Sequence, residues 1–467
     1  GWYTTEDFQE GTQVTTITAN CTLYAKWVEA AEWSNQERLN NTELEINSYF
    51  ENLDVISSNL NLITSNDTYG TLVSYVSSNL DVLSNSGIYT RPYKSTSVIY
   101  EVTISYGLDN KVCQYEVEVE GYKELNNIAA TYIGGNSSNY NNLNDSLFDL
   151  CDIITCGFAY PASDGTFTNS SVNSYNFTYY LPNMQKYVLP KAHEKGTWVI
   201  LSICGVDEQY DLALETISQS DDLIDKFISN VVSLINTYGF DGVDMDWEVP
   251  SDGALFTKLM SKLYAAVKAN NPNHLVTAAI GGGAWQPPYY DLNNSHKYLD
   301  YINMMTYNMA TSSGYHHTAL YASNTFADST NKVGKTLSSC SIDESIDIYN
   351  DYGVPSNKII IGSGFYGIKQ TRTSTSGTWS SAGSVSYKDI YTSYLSDTTN
   401  YTSYYDNNCQ VPYILSKDKL TFISYENEVS VLAKCEYAKN NNLAGVFVWQ
   451  YALDNGDLLN TLSEGMA

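Results

Sequence analysis

From Lys123 to the end of the chain, one pattern recurs eight times: a short apolar segment is followed by a longer stretch with helical periodicity. Apolar segments without polar alternation are typical of strands covered on both faces, and their alternation with helices predicts a parallel sheet. Eight such units in about 340 residues favour a closed α/β barrel of the (β/α)8, or TIM, type over an open doubly wound sheet. The predicted strands are 128–133, 152–160, 198–203, 242–248, 275–280, 301–307, 358–366 and 444–451.

The segments between these strands carry the helix signal. In 221–239, Phe227, Ile228 and Val231 follow the i, i+3, i+4 rule, and Gly239 predicts the end of the helix. The largest insertion follows the seventh strand, at about 370–424, and is rich in Ser, Thr and Tyr. We therefore expect residues 123–467 to form a barrel with one inserted segment.

The first part of the chain has a different character. Residues 1–28 read as a hairpin and resemble part of the small β-grasp repeat of bacterial surface proteins, and the polar residues 29–45 read as a linker or short helix. Residues 46–122 contain short alternating segments separated by turn residues, which predicts a small all-β sandwich. The stretch Ser77–Pro92 resembles an immunoglobulin-like module of bacterial secreted glycosidases, for which a spacer role is expected.

Charge and cysteine usage exclude several classes of function. A net charge of -28 and a pI of about 4.3 argue against a nucleic-acid surface, which needs a basic stripe. The eight cysteines are scattered without a CxxC pair, and with only five histidines we expect no metal and no cofactor. No run of eighteen apolar residues occurs. Because residue 1 falls within a pattern, we expect this chain to be a piece of a longer protein whose signal or surface anchor lies outside it.

The fourth predicted strand is unusual because it carries acids. In "FDGVDMDWEVP", Asp244, Asp246 and Glu248 are spaced by two, so all three point to one face, while the apolar residues between them point to the other. In a closed barrel the acidic face looks inward and climbs to the carboxyl-terminal mouth, where barrel active sites lie. We therefore expect Glu248 to lie nearest the substrate.

Three carboxylates placed at intervals of about 6.5 Å cannot all ionise at low cost. At least one of their pKa values should rise. A carboxylic acid that stays protonated near neutral pH can act as a general acid. The pattern thus predicts proton storage and delivery.

The motif Asp-Gly-x-Asp-x-Asp-x-Glu at 241–248 resembles the signature of glycoside hydrolase family 18, the chitinases and endo-β-N-acetylglucosaminidases. The resemblance covers most of 126–467. It includes Phe158–Ala159, "SICG" at 202–205, "MMTYN" at 304–308, "GFYG" at 364–367, "FISYEN" at 422–427 and "GVFVWQYALD" at 445–454.

This resemblance implies a retaining, substrate-assisted mechanism that requires an N-acetyl group on the sugar. Glu248 would protonate the leaving oxygen and later activate water. Asp246 would hold the acetamide N–H, Asp244 would share its charge or proton, and Tyr307 would orient the acetamide oxygen. Trp449 would form the floor beneath that sugar.

Further positions follow from the same resemblance. Substrate-binding roles are expected for Tyr366, Phe158, Met305, Asn308 and Trp285, with Tyr289–Tyr290 and His316–His317 as weaker candidates for the cleft. Supporting roles in the motif strands are expected for Asp241, Gly242 and Ser202.

Two residues depart from the family pattern: Cys204 stands where a glycine is usual, and Asn308 where an aspartate is usual. The loss of that negative charge is expected to weaken transition-state stabilisation or to shift the acid limb of the pH profile.

The leading hypothesis is a bacterial, secreted or cell-surface hydrolase of β-1,4-linked N-acetylglucosamine glycans, acting on chitin-type oligomers. The chitobiose core of N-glycans is the second candidate substrate, and peptidoglycan strands are the third. A non-catalytic lectin on the same barrel is the alternative from a different class. The presence of Glu248 argues against it, because such lectins usually lack the terminal Glu.

Overall fold

The computed structural model describes residues 33–134, 137–167, 177–206 and 208–467, together with 2–4, 6–7, 9, 16 and 21–25 near the start of the chain. The chain divides into two compact units, Gly1–Gly121 and Tyr122–Ala467. Each unit has its own buried apolar core.

The second unit is a closed barrel of eight parallel strands, which confirms the predicted fold. Neighbouring strands pair in chain order, and the eighth strand pairs with both the seventh and the first to complete the ring. All eight predicted strands are present. Their bounds are Ile128–Ile133, Ile153–Ala159, Trp198–Cys204, Gly242–Asp246, Leu275–Gly281, Tyr301–Met305, Ile359–Gly364 and Gly445–Trp449.

Helices surround the barrel. The helix predicted at 221–239 spans Asp221–Tyr238; Ser220 caps its start, and Gly239, with φ of 84°, ends it. The other α-helices of this unit are Ser137–Asn141, Ser146–Leu150, Phe177–Asn183, Leu189–Glu194, Glu208–Ser218, Gly253–Asn270, Leu292–Ser295, Ile342–Asp351, Tyr387–Ile390, Glu428–Asn440 and Asp457–Met466. Short 3-10 turns occur at Pro287–Tyr290, His296–Tyr298, Ser356–Lys358 and Tyr451–Leu453, and π-turns at Met184–Val188 and Tyr391–Leu395.

The insertion after the seventh strand is a five-stranded antiparallel sheet. It begins earlier than the predicted residue 370, because Gly364 ends the barrel strand and Tyr366 already belongs to the inserted sheet. Its strands are, in sheet order, Ser380–Ser386, Tyr366–Thr371, Thr421–Ser424, Val411–Ser416 and Tyr401–Asp406.

The first unit differs from the predicted two-sheet sandwich. Residues 33–121 contain one four-stranded antiparallel sheet and the helix Asn35–Glu51, which shares an apolar core with that sheet. The segment interpreted as a linker or short helix at 29–45 therefore contains most of this helix. The strands are Ser65–Asn66, Thr71–Ser77, Thr96–Tyr106 and Asp109–Val119.

This segment could be interpreted as a linker or as a short helix because the apolar face of the helix is narrow. Leu39, Ile46 and Phe50 are buried, but Asn, Glu and Gln dominate the rest of the helix and give it a polar composition. A capping box between Ser34 and Glu37 marks its start and is readable in the sequence.

The predicted hairpin at 1–28 lies largely outside the described residues. Within it, Trp2–Tyr3 pairs antiparallel with Tyr24–Ala25. No helix in the described part of the chain combines the length and apolar character needed to cross a bilayer.

Candidate active site

A cavity of about 340 Å³ opens at the carboxyl ends of the barrel strands. This is the end at which barrel enzymes place their chemistry. Eight of the residues predicted from the sequence line it: Phe158, Asp246, Glu248, Met305, Tyr307, Asn308, Tyr366 and Trp449.

Asp244 is fully buried beneath this cavity and is saturated with hydrogen-bond donors. Its Oδ2 accepts from Tyr132 Oη at 2.9 Å and Ser202 Oγ at 2.7 Å, and its Oδ1 accepts from Thr277 Oγ1 at 2.6 Å and Asn303 Nδ2 at 3.3 Å. Burial raises the pKa of Asp244, while these four donors oppose the rise. Asp244 is thus a fixed acceptor beneath the reacting groups.

Asp246 lies next along the same face of the strand and has a contrasting environment. Its side chain is buried, yet Oδ1 has no hydrogen-bond partner among the described residues. Burial raises the pKa of Asp246 well above its usual range, and the charges of Glu248 and Asp244 raise it further. A buried acceptor without a hydrogen bond lowers the stability of the protein. A bound ligand that donates a hydrogen bond to this oxygen would remove that cost.

Glu248 lies beyond the end of the strand, in a turn at the mouth of the cavity. Tyr290 fixes this turn: its hydroxyl donates to the Trp247 carbonyl and accepts the Val249 N–H, both at 2.9 Å. The Glu248 side chain is exposed to solvent through the cavity mouth, but the surrounding walls still raise its pKa by desolvation. The site therefore holds a carboxyl that is both accessible and biased towards its protonated form.

The opposite face of the strand packs outward, as alternation requires. Trp247 is fully buried, its ring lies 6.2 Å from that of Phe256 on the helix Gly253–Asn270, and its Nε1 donates to Asp211 at 2.7 Å. This packing fixes the backbone that carries the acids.

Aromatic side chains form the walls of the cavity. The Trp449 ring stacks on Phe158 with centroids 6.0 Å apart and lies 5.6 Å from Tyr132. Tyr307 meets Tyr366 edge to face at 6.1 Å. The peptide bonds Gly157–Phe158 and Trp449–Gln450 are cis. Burial raises the pKa of Tyr307 well above its usual value, so its hydroxyl remains a donor.

Asn308 adopts a left-handed backbone conformation, with φ of 54°. Its Oδ1 accepts from Tyr366 Oη at 2.8 Å, and its N–H donates to His317 Nδ1 at 3.3 Å. Burial lowers the pKa of His317 to about 3, which keeps the imidazole neutral and able to accept. Asn308, one of the two residues that depart from the family pattern, is therefore firmly held in the wall.

Of the three supporting residues, Gly242 and Ser202 lie in barrel strands, and Asp241 immediately precedes the strand Gly242–Asp246. The Asp241 carboxylate accepts the Val199 N–H at 2.8 Å and contacts His193 Nε2 at 2.9 Å. At Gly242 a Cβ would lie 2.2 Å from the Leu275 carbonyl oxygen, so glycine is required for strand pairing. Ser202 is the donor to Asp244 already described.

Some predicted residues are not in the cavity. Trp285 is 55% exposed, contacts Tyr289 and does not line this cavity, so its expected role in substrate binding stays a prediction. Tyr290 is buried under the Glu248 turn instead of extending the cleft. His316 and His317 are both buried, because they belong to the junction with the inserted sheet.

Sequence analysis also missed residues that complete the site. Tyr132, Thr277 and Asn303 hold Asp244, and each is a polar residue within an apolar barrel strand. A polar residue in a strand that is buried on both faces was the available signal. Such a side chain needs a hydrogen-bond partner inside the barrel, because burying it without one would be destabilising. The remaining unpredicted lining residues are Tyr160, Val206, Tyr210, Ala279 and Gln450; Cys204 also lines the cavity.

Curated relatives of this chain include chitinases. Chitinase A1 of Niallia circulans is 28% identical over 264 residues, which are 50% of this chain and 37% of that protein. A probable endochitinase of Caenorhabditis elegans is 30% identical over 253 residues, 49% of this chain and 39% of that protein. The matched region thus spans less than half the length of these two relatives.

Solved structures share the fold. The class V chitinase of Nicotiana tobaccum has a TM-score of 0.61 at 22% identity, covering 73% of this chain and 99% of that one. A family 18 N-acetylglucosaminidase of Paenibacillus barengoltzii has a TM-score of 0.59 at 22% identity, covering 73% and 100%. The model of the family described as Glycosyl hydrolases family 18 matches residues 128–454, which contain the barrel strands and every residue lining the cavity. The chain therefore belongs to glycosyl hydrolase family 18.

Proposed function

We propose that this chain hydrolyses β-1,4 linkages between N-acetylglucosamine units of chitin-type oligomers, with retention and with the substrate's own acetamide as nucleophile. The observation that carries this proposal is the contrast between two neighbouring acids in one cavity. Asp246 is buried with an unpartnered oxygen, and Glu248 is accessible with a raised pKa. The chitinases among the relatives support the choice of substrate.

Glu248 is the proton donor in this mechanism. Desolvation keeps its carboxyl protonated to a higher pH than that of an ordinary glutamate, and its place at the mouth puts it beside the bridging oxygen of a bound glycan. It gives this proton to the leaving oxygen as the glycosidic bond breaks.

The acetamide group of the sugar supplies the nucleophile. Its carbonyl oxygen bonds to the anomeric carbon as the leaving group departs, and the positive charge spreads over the resulting oxazolinium ring. Asp246 Oδ1 accepts the acetamide N–H and offsets that charge, and the Tyr307 hydroxyl donates to the acetamide oxygen. Asp244 holds its four donors and stays fixed beneath Asp246.

Water completes the reaction. Glu248, now ionised, takes a proton from a water molecule while the water oxygen attacks the anomeric carbon. The oxazolinium ring opens, which restores the acetamide and the protonated Glu248. Two attacks on opposite faces give overall retention. Trp449 and Phe158 provide the apolar floor against which the pyranose C–H groups lie.

The test compares the wild type with Glu248→Gln on chitin oligomers and on an N-glycoprotein, measuring released reducing ends. Removal of the general acid should lower kcat by about 10²–10⁴-fold. Glu436→Gln, on an exposed position of the helix Glu428–Asn440, is the matched control and should retain full activity.

Three further outcomes would redirect the proposal. Cleavage of the glycoprotein without cleavage of chitin oligomers would favour the N-glycan core as substrate. Binding of both glycans without cleavage by the wild type would favour a lectin. Equal cleavage of oligomers lacking the acetyl groups would contradict substrate assistance.

We also propose that the chain works outside the cell or at the cell surface, since a polymer such as chitin cannot enter it. One structural neighbour is a bacterial, cell-surface-expressed, multi-modular chitinase of Paenibacillus, with a TM-score of 0.60 at 19% identity, covering 85% of this chain and 41% of that one. The first unit would then act as a spacer. Protease treatment of intact source cells, followed by immunoblotting, tests this location; full protection from the protease would count against it.

A further inference from the structure

Three metal-ligating side chains converge at the tip of the inserted sheet. His316 lies in the loop after the sixth barrel strand, Asp406 ends the strand Tyr401–Asp406, and Cys409 lies in the turn that follows it. One ligand atom from each of these residues lies within 4.8 Å of the other two. All three side chains are buried, at 1%, 3% and 0% exposure respectively.

The atoms that do not converge are already held by neighbours. His316 Nδ1 is 3.1 Å from Ser424 Oγ, which leaves Nε2 directed at Asp406 Oδ2 at 3.2 Å. Asp406 Oδ1 accepts the backbone N–H groups of Asn408 at 2.9 Å and Cys409 at 3.3 Å. Outer hydrogen bonds of this kind orient the ligands of metal sites, so the arrangement has the second layer that such a site needs.

We propose that His316 Nε2, Asp406 Oδ2 and Cys409 Sγ bind a structural zinc ion. Nitrogen, oxygen and sulfur donors together suit Zn²⁺ better than Mg²⁺ or Ca²⁺, which prefer oxygen alone. Bond lengths of about 2.0–2.3 Å in a tetrahedral site place ligand atoms roughly 3.3–3.8 Å apart, so side-chain shifts of about one ångström complete it.

The proton and charge balance favours this ion. Binding would release the thiol proton of Cys409 to solvent and would leave His316 as a neutral imidazole with its proton on Nδ1, where it faces Ser424. The thiolate and the Asp406 carboxylate then neutralise both charges of Zn²⁺, so no net charge is buried. The hydroxyl of Ser323 hydrogen-bonds Cys409 and would supply the fourth ligand directly or through a water molecule.

The site would fasten the tip of the inserted sheet to the loop after the sixth strand. That loop continues into His317, which holds Asn308 in the cavity wall. No spacing pattern predicts this site, because 90 residues separate His316 from Asp406 and only the fold brings them together.

The test is metal analysis of the whole chain, produced with zinc in the medium and desalted without chelator. About one zinc per chain is expected in the wild type and in Cys435→Ser, which changes another buried cysteine away from the site. Cys409→Ser and the isosteric Asp406→Asn should each lose that zinc. Replacement of zinc by Co²⁺ should produce a thiolate-to-cobalt absorption band in the near ultraviolet that Cys409→Ser lacks.

Two results would overturn the proposal. One is that wild-type protein contains no stoichiometric zinc after dialysis against Zn²⁺ and shows no absorption band after dialysis against Co²⁺. This result can be obtained without any variant. The other is retention of the zinc by Cys409→Ser. Circular dichroism of each variant separates loss of the ligand from loss of the fold, and a chelator should lower the Tm of the wild type but not that of Asp406→Asn.

Discussion

Asp246 is a residue at which function opposes stability. Burial and the nearby charges of Glu248 and Asp244 raise its pKa well above 3.8, so the folded state holds a proton that the unfolded state releases. Between the unfolded pKa and the higher folded value, the native state binds more protons, and the free energy of unfolding therefore falls as pH rises through that window.

Asp246→Asn should remove this dependence. We expect the barrel to gain about 1–2 kcal/mol of stability at pH 7–8, since a neutral amide replaces a poorly solvated acid, while chitin-oligomer cleavage falls by more than 100-fold. Thermal unfolding measured from pH 4 to 9, with activity in parallel, checks both. A variant that is less stable than the wild type at pH 8 would contradict the expectation.

Asn308 is a second residue at which the presence or absence of a negative charge should affect catalysis. Asn308→Asp keeps an acceptor for Tyr366 Oη and tolerates the left-handed backbone, so the geometry should persist while a negative charge is added. That charge disfavours ionisation of Glu248. The pKa of Glu248, and with it the alkaline limb of the pH profile of kcat, should therefore rise by roughly half to one pH unit.

The profile of Asn308→Ser is the control for this prediction, since it changes the side chain without adding charge. We expect Asn308→Asp also to raise kcat severalfold, because the added carboxylate favours the cationic transition state. An alkaline limb that moves downward, or equally in both variants, would show that charge is not the cause.

At the scale of elements, Gly242 determines how the acidic strand joins its neighbour. A Cβ there would meet the Leu275 carbonyl oxygen at 2.2 Å, and backbone cannot move aside as a flexible side chain can. Gly242→Ala should destabilise the barrel by about 2–3 kcal/mol. Gly377→Ala, where the nearest atom would be 3.2 Å away, is the matched control. Equal unfolding midpoints for the two variants would refute the argument.

The strands also show what could be predicted from sequence. All eight were recognisable because both of their faces are buried, yet five predicted ends ran too far, and three of these placed Glu248, Tyr307 and Tyr366 inside barrel strands. The hydrophobic pattern continues past the last paired residue of a strand because the residues that line the cavity are apolar too, so the pattern does not mark the strand end. The helix Asn35–Glu51 was predicted only as a linker or short helix at 29–45, because polar residues dilute its narrow apolar face.

The site residues that lie close together in the sequence could be predicted, and those that different strands bring together were missed. The acids at 244–248 share one strand, so alternation alone places Asp244 and Asp246 on the same face. Tyr132 and Asn303 come from other strands, and only the closed barrel brings them to Asp244. Trp285 does not line the cavity, and an aromatic residue in a loop after a strand does not reveal which way the loop turns.

At the scale of the whole molecule, the division into two units predicts that catalysis belongs to one of them. Every residue lining the cavity lies between 132 and 450, within the unit Tyr122–Ala467. The start of this unit is anchored internally, because Lys123 donates through its N–H to the Gly196 carbonyl and through Nζ to the carbonyls of Phe148 and Cys151. The barrel should therefore fold without residues 1–121.

A chain of residues 122–467 should cleave soluble chitin tetramers with kcat/KM within about twofold of the full chain, since none of the cavity contacts is removed. Its Tm should match the barrel transition of the full protein. Insoluble chitin is the informative second substrate: a selective loss there would assign the first unit a role in reaching the polymer, and equal rates would leave it as a spacer. Loss of activity on the soluble tetramer by a folded truncation would show instead that the first unit contributes to the active site.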